Sequence, residues 1–290
     1  RDEVWVADFV AAAVFSLNPS EDEYVVLGAA DREPVQIEQP LRLAVSPDIG
    51  LAAYDGITES VDLFTFNGEF LRGFTPGFSP AVMAFSRFPL GYTFGIAAGD
   101  SGQDRRPVVI HTDLQGIERD TLLSAFHGPE ALRPSIAERG ETAMSPSNRG
   151  MWVWSKQAPE RVYDLSPRGT RTIVLRPEDR EEIGLLADRE RGILWVVRPG
   201  AEEVTYAAYD TRLARELDEA VEGEVSDAED SIVADSAVTF LGLRTTPRGF
   251  RPMEIHDGIV MGVRVVRGGV GMIAYDLHAE RFDRPVPEGD

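Results

Sequence analysis

One short grammar recurs along this chain and restricts what it can fold into. Its clearest copy is Ser46 to Gly77, SPDIGLAAYDGITESVDLFTFNGEFLRGFTPG. Pro47-Asp48-Ile49-Gly50 reads as a tight turn, because proline presets φ at a turn's second position and glycine supplies a left-handed one. The apolar run Leu51 to Tyr54 stops at the hairpin-type dipeptide Asp55-Gly56, and Val61 to Phe66 is a second run closed by Asn67-Gly68. Glu69 to Arg72 alternates into a third run that ends at Gly73.

The second of these runs has counterparts elsewhere. Ala13 to Leu17 closes on Asn18, Leu63 to Phe66 on Asn67, Val109 to Thr112 on Asp113, Val162 to Leu165 on Ser166, Tyr206 to Tyr209 on Asp210, and Met272 to Tyr275 on Asp276. The closing residues are short polar side chains that bond the backbone two residues on and so open a turn. A run precedes each of them: Val4 to Val6, Leu51 to Ala53, Phe94 to Ile96, Met151 to Val153, Leu194 to Val196 and Val260 to Gly262. Trp5, Trp152 and Trp195 fall in one column of that alignment, where packing between sheets explains them better than a sugar platform does. A further strand precedes most copies, at Leu43 to Val45, Ala81 to Met83, Thr142 to Met144, Gly184 to Leu186 and Pro252 to Ile255.

Short strands in sets of up to four, recurring roughly every 45–50 residues, are the signature of propeller blades. Six copies predict one all-β domain over residues 1–290, a six-bladed propeller of four-stranded antiparallel blades. Runs apolar on both faces suit it, since each sheet is covered on both sides by its neighbours. Nothing precedes Val4 to serve as an inner strand, so either that strand lies upstream of Arg1 or blade one is three-stranded. The last copy is expected to end in a fourth strand near Ala279 to Asp283. Residues 211–236 read as an exposed acidic insertion between blades five and six, since Asp210 to Asp235 carries ten acids against two arginines.

The segment Pro40 to Phe74 resembles the NHL-type repeat of six-bladed propellers, in which a P-D-x-G turn leads to a V-A-D strand and then to a V-x-V-F-D-x-x-G strand. Trp5-Val6-Ala7-Asp8 and Val61 to Gly68 carry the likeness most clearly, and copies three to six keep the rhythm with little of the spelling. The resemblance implies a binding platform of the kind found in exported bacterial propellers. Partners would meet the loops joining outer strands to the next inner strand, and those between second and third strands.

Composition narrows the function classes. The formal net charge is −20, and Lys156 is the one lysine beside 28 arginines. That balance argues against a nucleic-acid partner, which needs clustered cations to neutralise phosphates. It favours partners with cationic patches. There is no cysteine, which excludes disulfides, thiolate metal sites and cysteine nucleophiles. No apolar run reaches the roughly 18 residues of a spanning helix. A chain that opens at Arg1 and runs at once into strand sequence fits removal of a leader, and an extracytoplasmic location is expected.

No acid, base and nucleophile converge in the sequence, and no G-x-S-x-G occurs, so no catalytic residue is assigned. His111, His127, His256 and His278 fall on separate strands and loops, and each is expected to be a satisfied or surface residue. Ser46 to Gly50 matches the start of a sialidase Asp-box, but the aromatic residue is out of step and the segment joins the wrong strands. The alternative to a binding role is a calcium-dependent, lactonase-like hydrolase with Asp8 and Asp55 as ligands at a channel mouth. The column they share holds Ser155, Arg198 and Arg264 in later copies, which is not a carboxylate ring, so turn opening is the preferred reading of the two aspartates. The candidates for partner contact are Asp100, Asp104, Arg105 and Arg106, in a long link between the second and third strands of blade three, and Glu216, Asp218, Glu219 and Glu222 in the acidic insertion. The expected function is therefore a non-catalytic, extracytoplasmic scaffold docked on another protein, such as a subunit of a membrane-bound complex.

Overall fold

The structure is a computed structural model that describes residues 4–8, 11–17, 24–27, 37–46, 48–87, 89–96, 108–124, 126–133, 142–181, 183–189, 191–211, 234–235, 239–266 and 269–277. The chain divides into two compact units, Arg1–His127 and Gly128–Asp290.

The first unit holds three antiparallel sheets. The first consists of β1 (Val4–Asp8), β2 (Ala13–Leu17) and β3 (Tyr24–Leu27), in that order. The second runs β4 (Pro40–Ser46), β5 (Gly50–Asp55), β6 (Val61–Phe64) and β7 (Phe70–Phe74). The third runs β8 (Val82–Arg87), β9 (Leu90–Ile96), β10 (Val108–Thr112) and β11 (Glu118–Leu123). Strand β1 lies against β4, and β4 against β8, so successive sheets meet along their first strands.

The second unit repeats the pattern. Its first sheet runs β12 (Thr142–Pro146), β13 (Met151–Ser155), β14 (Arg161–Ser166) and β15 (Gly169–Val174). Its second has β16 (Gly184–Asp188), β17 (Ile193–Pro199), β18 (Glu203–Asp210) and β20 (Thr239–Pro247). The third is β21 (Phe250–His256), β22 (Ile259–Val266) and β23 (Gly269–Asp276). The two-residue β19 (Ala234–Asp235) adds to the edge of β15 in parallel. Strand β12 lies against β16, and β16 against β21.

Burial explains the packing. All six residues of β5 and all four of β6 are buried, which a strand achieves only when both sheet faces are covered. Trp5, Val14, Leu51, Ala53 and Phe64 fill the space between the first two sheets of unit one, and Ala52, Tyr54, Met83, Phe85, Tyr92 and Phe94 the space between the second and third. In unit two the same layering uses Trp152, Trp154, Leu194 and Val196, then Trp195, Tyr206, Phe250 and Val260. The tryptophan column is therefore packing, as its place in the repeat implies.

The fold is an all-β propeller with four-stranded antiparallel blades. Five blades are shown, not the six expected. Six sheets are present among the described residues, and the first and the last of them have three strands each. Residues 211–236 also sit differently from expectation. Because β20 pairs with β18 along its length, the stretch falls inside one sheet, between its third and fourth strands, rather than between blades. The fourth strand expected near Ala279 to Asp283 lies outside the described residues.

Candidate functional site

Asp8 and Asp55 end β1 and β5, at the start of the turn into the next strand. Asp55 is buried, and its carboxylate accepts four backbone N–H bonds. One oxygen takes those of Glu38 at 2.6 Å and Gln39 at 2.8 Å, the other those of Ile57 at 2.8 Å and Thr58 at 3.1 Å. Burial acts to raise its pKa, but the bonds from Gln39, Thr58, Ile57 and Glu38 outweigh it and hold the group below the usual carboxylate range. Asp8 accepts the Ala11 N–H at 2.9 Å in the same manner. A carboxylate whose lone pairs already meet four N–H donors does not suit a hard cation that wants those oxygens for itself. Ser155 occupies the equivalent end of β13 and accepts the Gln157 N–H at 3.2 Å. The column is a set of turn caps, and among the described residues no three His, Asp or Glu side chains gather as metal ligands.

Asp62, two residues into β6, is pushed the other way. Burial raises its pKa, the Ser60 hydroxyl donating to it at 2.9 Å lowers it, and the charge of Asp55 raises it again. Carboxylates with divergent pKa values are a mark of acid–base sites. Here Asp62 and Asp55 are both buried within the sheet, so the split is a consequence of folding.

The departure from the column in unit two is Arg198, in β17. It reaches the turn that follows β15, donating to the Glu178 carbonyl and lying 3.3 Å from the fully buried Asp179. Arg176 meets the other Asp179 oxygen at 2.7 Å, and the Tyr209 hydroxyl donates to that oxygen at 2.6 Å. The Arg176 guanidinium also stacks 3.5 Å above the Phe240 ring. Burial and the negative charge of Asp179 push the Tyr209 hydroxyl up to about 12, so it stays protonated and donates. Two arginines facing Asp179 and Glu178 make a charge-balanced knot that fastens the β15–β16 connection to β17, β18 and β20.

His111, in β10, is only 1 % exposed. Its cross-strand neighbours are Thr93 on β9 and Asp120 on β11, and Thr93 shares a 2.6 Å hydroxyl bond with Ser86. Neither ring nitrogen has a well-aligned hydrogen-bond partner among the described residues. Burial lowers its pKa, against opposing effects from Asp120, Asp113 and the Tyr92 backbone. Of the four histidines expected to be satisfied or on the surface, His111 is buried beside the Tyr92 backbone, His127 and His256 are exposed, and His278 lies outside the described residues.

The last sheet resembles the others in having two apolar faces. One face packs Phe250, Ile255, Val260, Ile273 and Tyr275 into the core. The other carries Met253, Met261, Val263 and Met272 beside Ile259 and Val265, so the sheet is apolar on both faces. Half of the chain's six methionines stand on it. Exposed Arg251, Glu254, His256 and Asp276 surround this apolar centre. Alternation in β22 carried the signal, since Ile259, Met261, Val263 and Val265 are apolar on a face that a solvated sheet would make polar. The partner-contact candidates Asp100, Asp104, Arg105, Arg106, Glu216, Asp218, Glu219 and Glu222 lie outside the described residues, the first four between β9 and β10 as expected and the others between β18 and β20.

No family model matches the chain, the NHL-type repeat included, and no curated protein matches it. Solved structures do. A protein from Bacteroides fragilis classed as exported is 11 % identical with a TM-score of 0.50, the match covering 91 % of this chain and 77 % of that one. Catalytically inactive virginiamycin B lyase from Staphylococcus aureus with quinupristin is 12 % identical with a TM-score of 0.49, covering 96 % of this chain and 82 % of that one. A Lactobacillus plantarum protein is 15 % identical with a TM-score of 0.42, covering 90 % and 76 % respectively. At such identities the likeness reaches the fold alone, and the fold it shows is the β-propeller.

Proposed function

We infer that this protein is a non-catalytic interaction propeller, acting outside the cytoplasm as a scaffold or accessory subunit docked on another protein. The observation that carries the reading is the propeller of antiparallel blades, a rigid scaffold whose connecting loops are placed to carry binding. The ionisable groups support the same reading, because Asp8, Asp55, Asp179 and Tyr209 are engaged in turns and in the arginine knot. An extracytoplasmic setting accords with a cysteine-free chain, and no helix among the described residues is long and apolar enough to cross a membrane.

The test is purification of the intact protein from its native source, from separated cytoplasmic and extracytoplasmic fractions, with the companion identified and its stoichiometry measured. One companion held at constant ratio through successive columns, in the extracytoplasmic fraction, is the expected result. Recovery as a lone chain whose melting temperature climbs with added calcium would instead revive the hydrolase reading.

A further inference from the structure

We propose that the outer edge of β15 is a strand-addition site for an extended segment of a partner protein, and that the chain's own β19 occupies it as a removable placeholder. This rests on the interaction role inferred above and gives that role a surface and a mode of recognition.

The site lies wholly within the second unit. Strand β15 is the fourth of its sheet and pairs on one side with β14, from Gly169 to Val174. Its other side meets Ala234 and Asp235 in parallel, opposite Arg171 and Thr172. The remaining fourth strands, β7, β11 and β20, end their sheets with no fifth strand among the described residues. An outer strand carries a row of unpaired N–H and C=O groups, which is a template for another strand. On β15 the template is in use, and by a strand that arrives from a different sheet. The chain leaves β18 at Asp210, pairs with β15, and returns to β18 as β20. Thr172, opposite Asp235, is fully buried although it stands on an outer strand.

The sequence changes character where it reaches β19. Residues 216–230 read ELDEAVEGEVSDAED, whereas 231–238 read SIVADSAV, which carries one charge among β-branched and small residues. An extended segment added to a sheet edge is recognised through its main chain, with alternate side chains setting the fit. A ladder of two residue pairs is short, and edge elements of this kind open locally at little cost in free energy. The tether to β18 and β20 keeps β19 in place, because it makes the pairing intramolecular and holds off a free segment until the bridge is released. A second copy as occupant would bring together two chains of net charge −20, so the occupant is a different protein.

The experiment uses the full chain and a labelled peptide EDSIVADSAV, the sequence of residues 229–238. Ala234→Pro with Asp235→Pro removes whichever N–H the bridge uses. In this double variant, hydrogen exchange of the outward amides of residues 169–174 should quicken about tenfold. The peptide should bind it one-to-one, about tenfold more tightly than it binds wild type, and should restore the protection. Ala234→Ser with Asp235→Asn keeps both N–H groups and should behave as wild type, since recognition runs through the main chain. A peptide carrying the two prolines should not bind. Strand β19 adds to a sheet that already has four strands, so unchanged melting temperatures will show that each variant is folded.

Unchanged exchange at residues 169–174 in the double-proline variant, equal peptide binding to that variant and wild type, or binding of the proline peptide would each overturn the proposal. So would concentration-dependent self-association of the double variant, which would make β19 a guard against other copies of the chain. A native companion held no more tightly by the double variant would leave the interaction role standing and take this edge out of it. Peptide binding as expected in a chain that purifies alone would support the edge and count against the interaction role.

Discussion

Four backbone N–H groups converge on Asp55 because the chain leaves β5 through a turn and enters β4 alongside it, and both turns point their donors inward. Such donors cannot be left bare in a buried site, so a carboxylate that accepts all of them stabilises two turns at once. The amide of Asp55→Asn offers one acceptor oxygen and an NH2 group facing N–H donors. The expected loss is about 2–3 kcal/mol, the range for leaving buried polar groups unpaired. The pH dependence has a definite sign. Asp55 has a folded pKa below its ordinary 3.8, so its stabilisation is present above that value and is lost as pH falls through it toward the folded pKa. Chemical denaturation at pH 7 and near pH 3 should show the gap between wild type and Asp55→Asn closing at the acid end, and a constant gap would contradict this account. The turn chemistry of Asp8 and Asp55 was legible in the sequence. The Asp179 knot was not, because nothing in the local sequence says that Arg198 and Tyr209 will reach back to a turn some 20–30 residues upstream.

At the scale of the element, the second strands of three blades begin in the same way. Gly50, Gly91 and Gly150 each stand where an added Cβ would run into a backbone carbonyl of the third strand, at Phe64, Thr112 and Leu165 respectively. The repeat thus keeps glycine there to let two strands approach, a backbone demand that flexible neighbours cannot relax. Gly91→Ala should force β9 and β10 apart and cost about 2–4 kcal/mol. The matched control is Gly77→Ala, where nothing lies within 4 Å of the new atom and only the positive φ of 74° is penalised, at about 1 kcal/mol. Thermal melts of the two variants should rank in that order. Strand positions were readable because turn residues and apolar runs are local signals: Ala13–Leu17 is β2 to the residue, and Met151 to Val153 lies within β13. Blade count was less readable, since it depends on how many strands each sheet finally recruits. The run Thr239–Pro247 is an example: it is nine residues long and joins β18 across an insertion that conceals the pairing in sequence.

For the whole molecule, two effects of pH oppose each other. A net charge of −20 is a self-repulsion that weakens as carboxylates protonate toward the sequence pI of about 4.6, so mild acid should favour the compact state. His111 acts in the contrary direction. Burial lowers its folded pKa below 6.5, so the unfolded chain binds the proton more readily, and the stability present above pH 6.5 is lost as pH falls below it. The two are separable because salt screens the diffuse repulsion between surface charges and acts much less on a buried ring. In low salt the melting temperature should change little between pH 7.5 and 5.5, the two contributions offsetting. In high salt the repulsive term is suppressed, and the melting temperature should fall over that interval. His111→Leu removes the titrating group and also a buried pair of nitrogens without aligned partners, so it should be neutral or stabilising at pH 7.5 and should abolish the fall in high salt. A fall that persists in His111→Leu would place the acid sensitivity elsewhere in the chain.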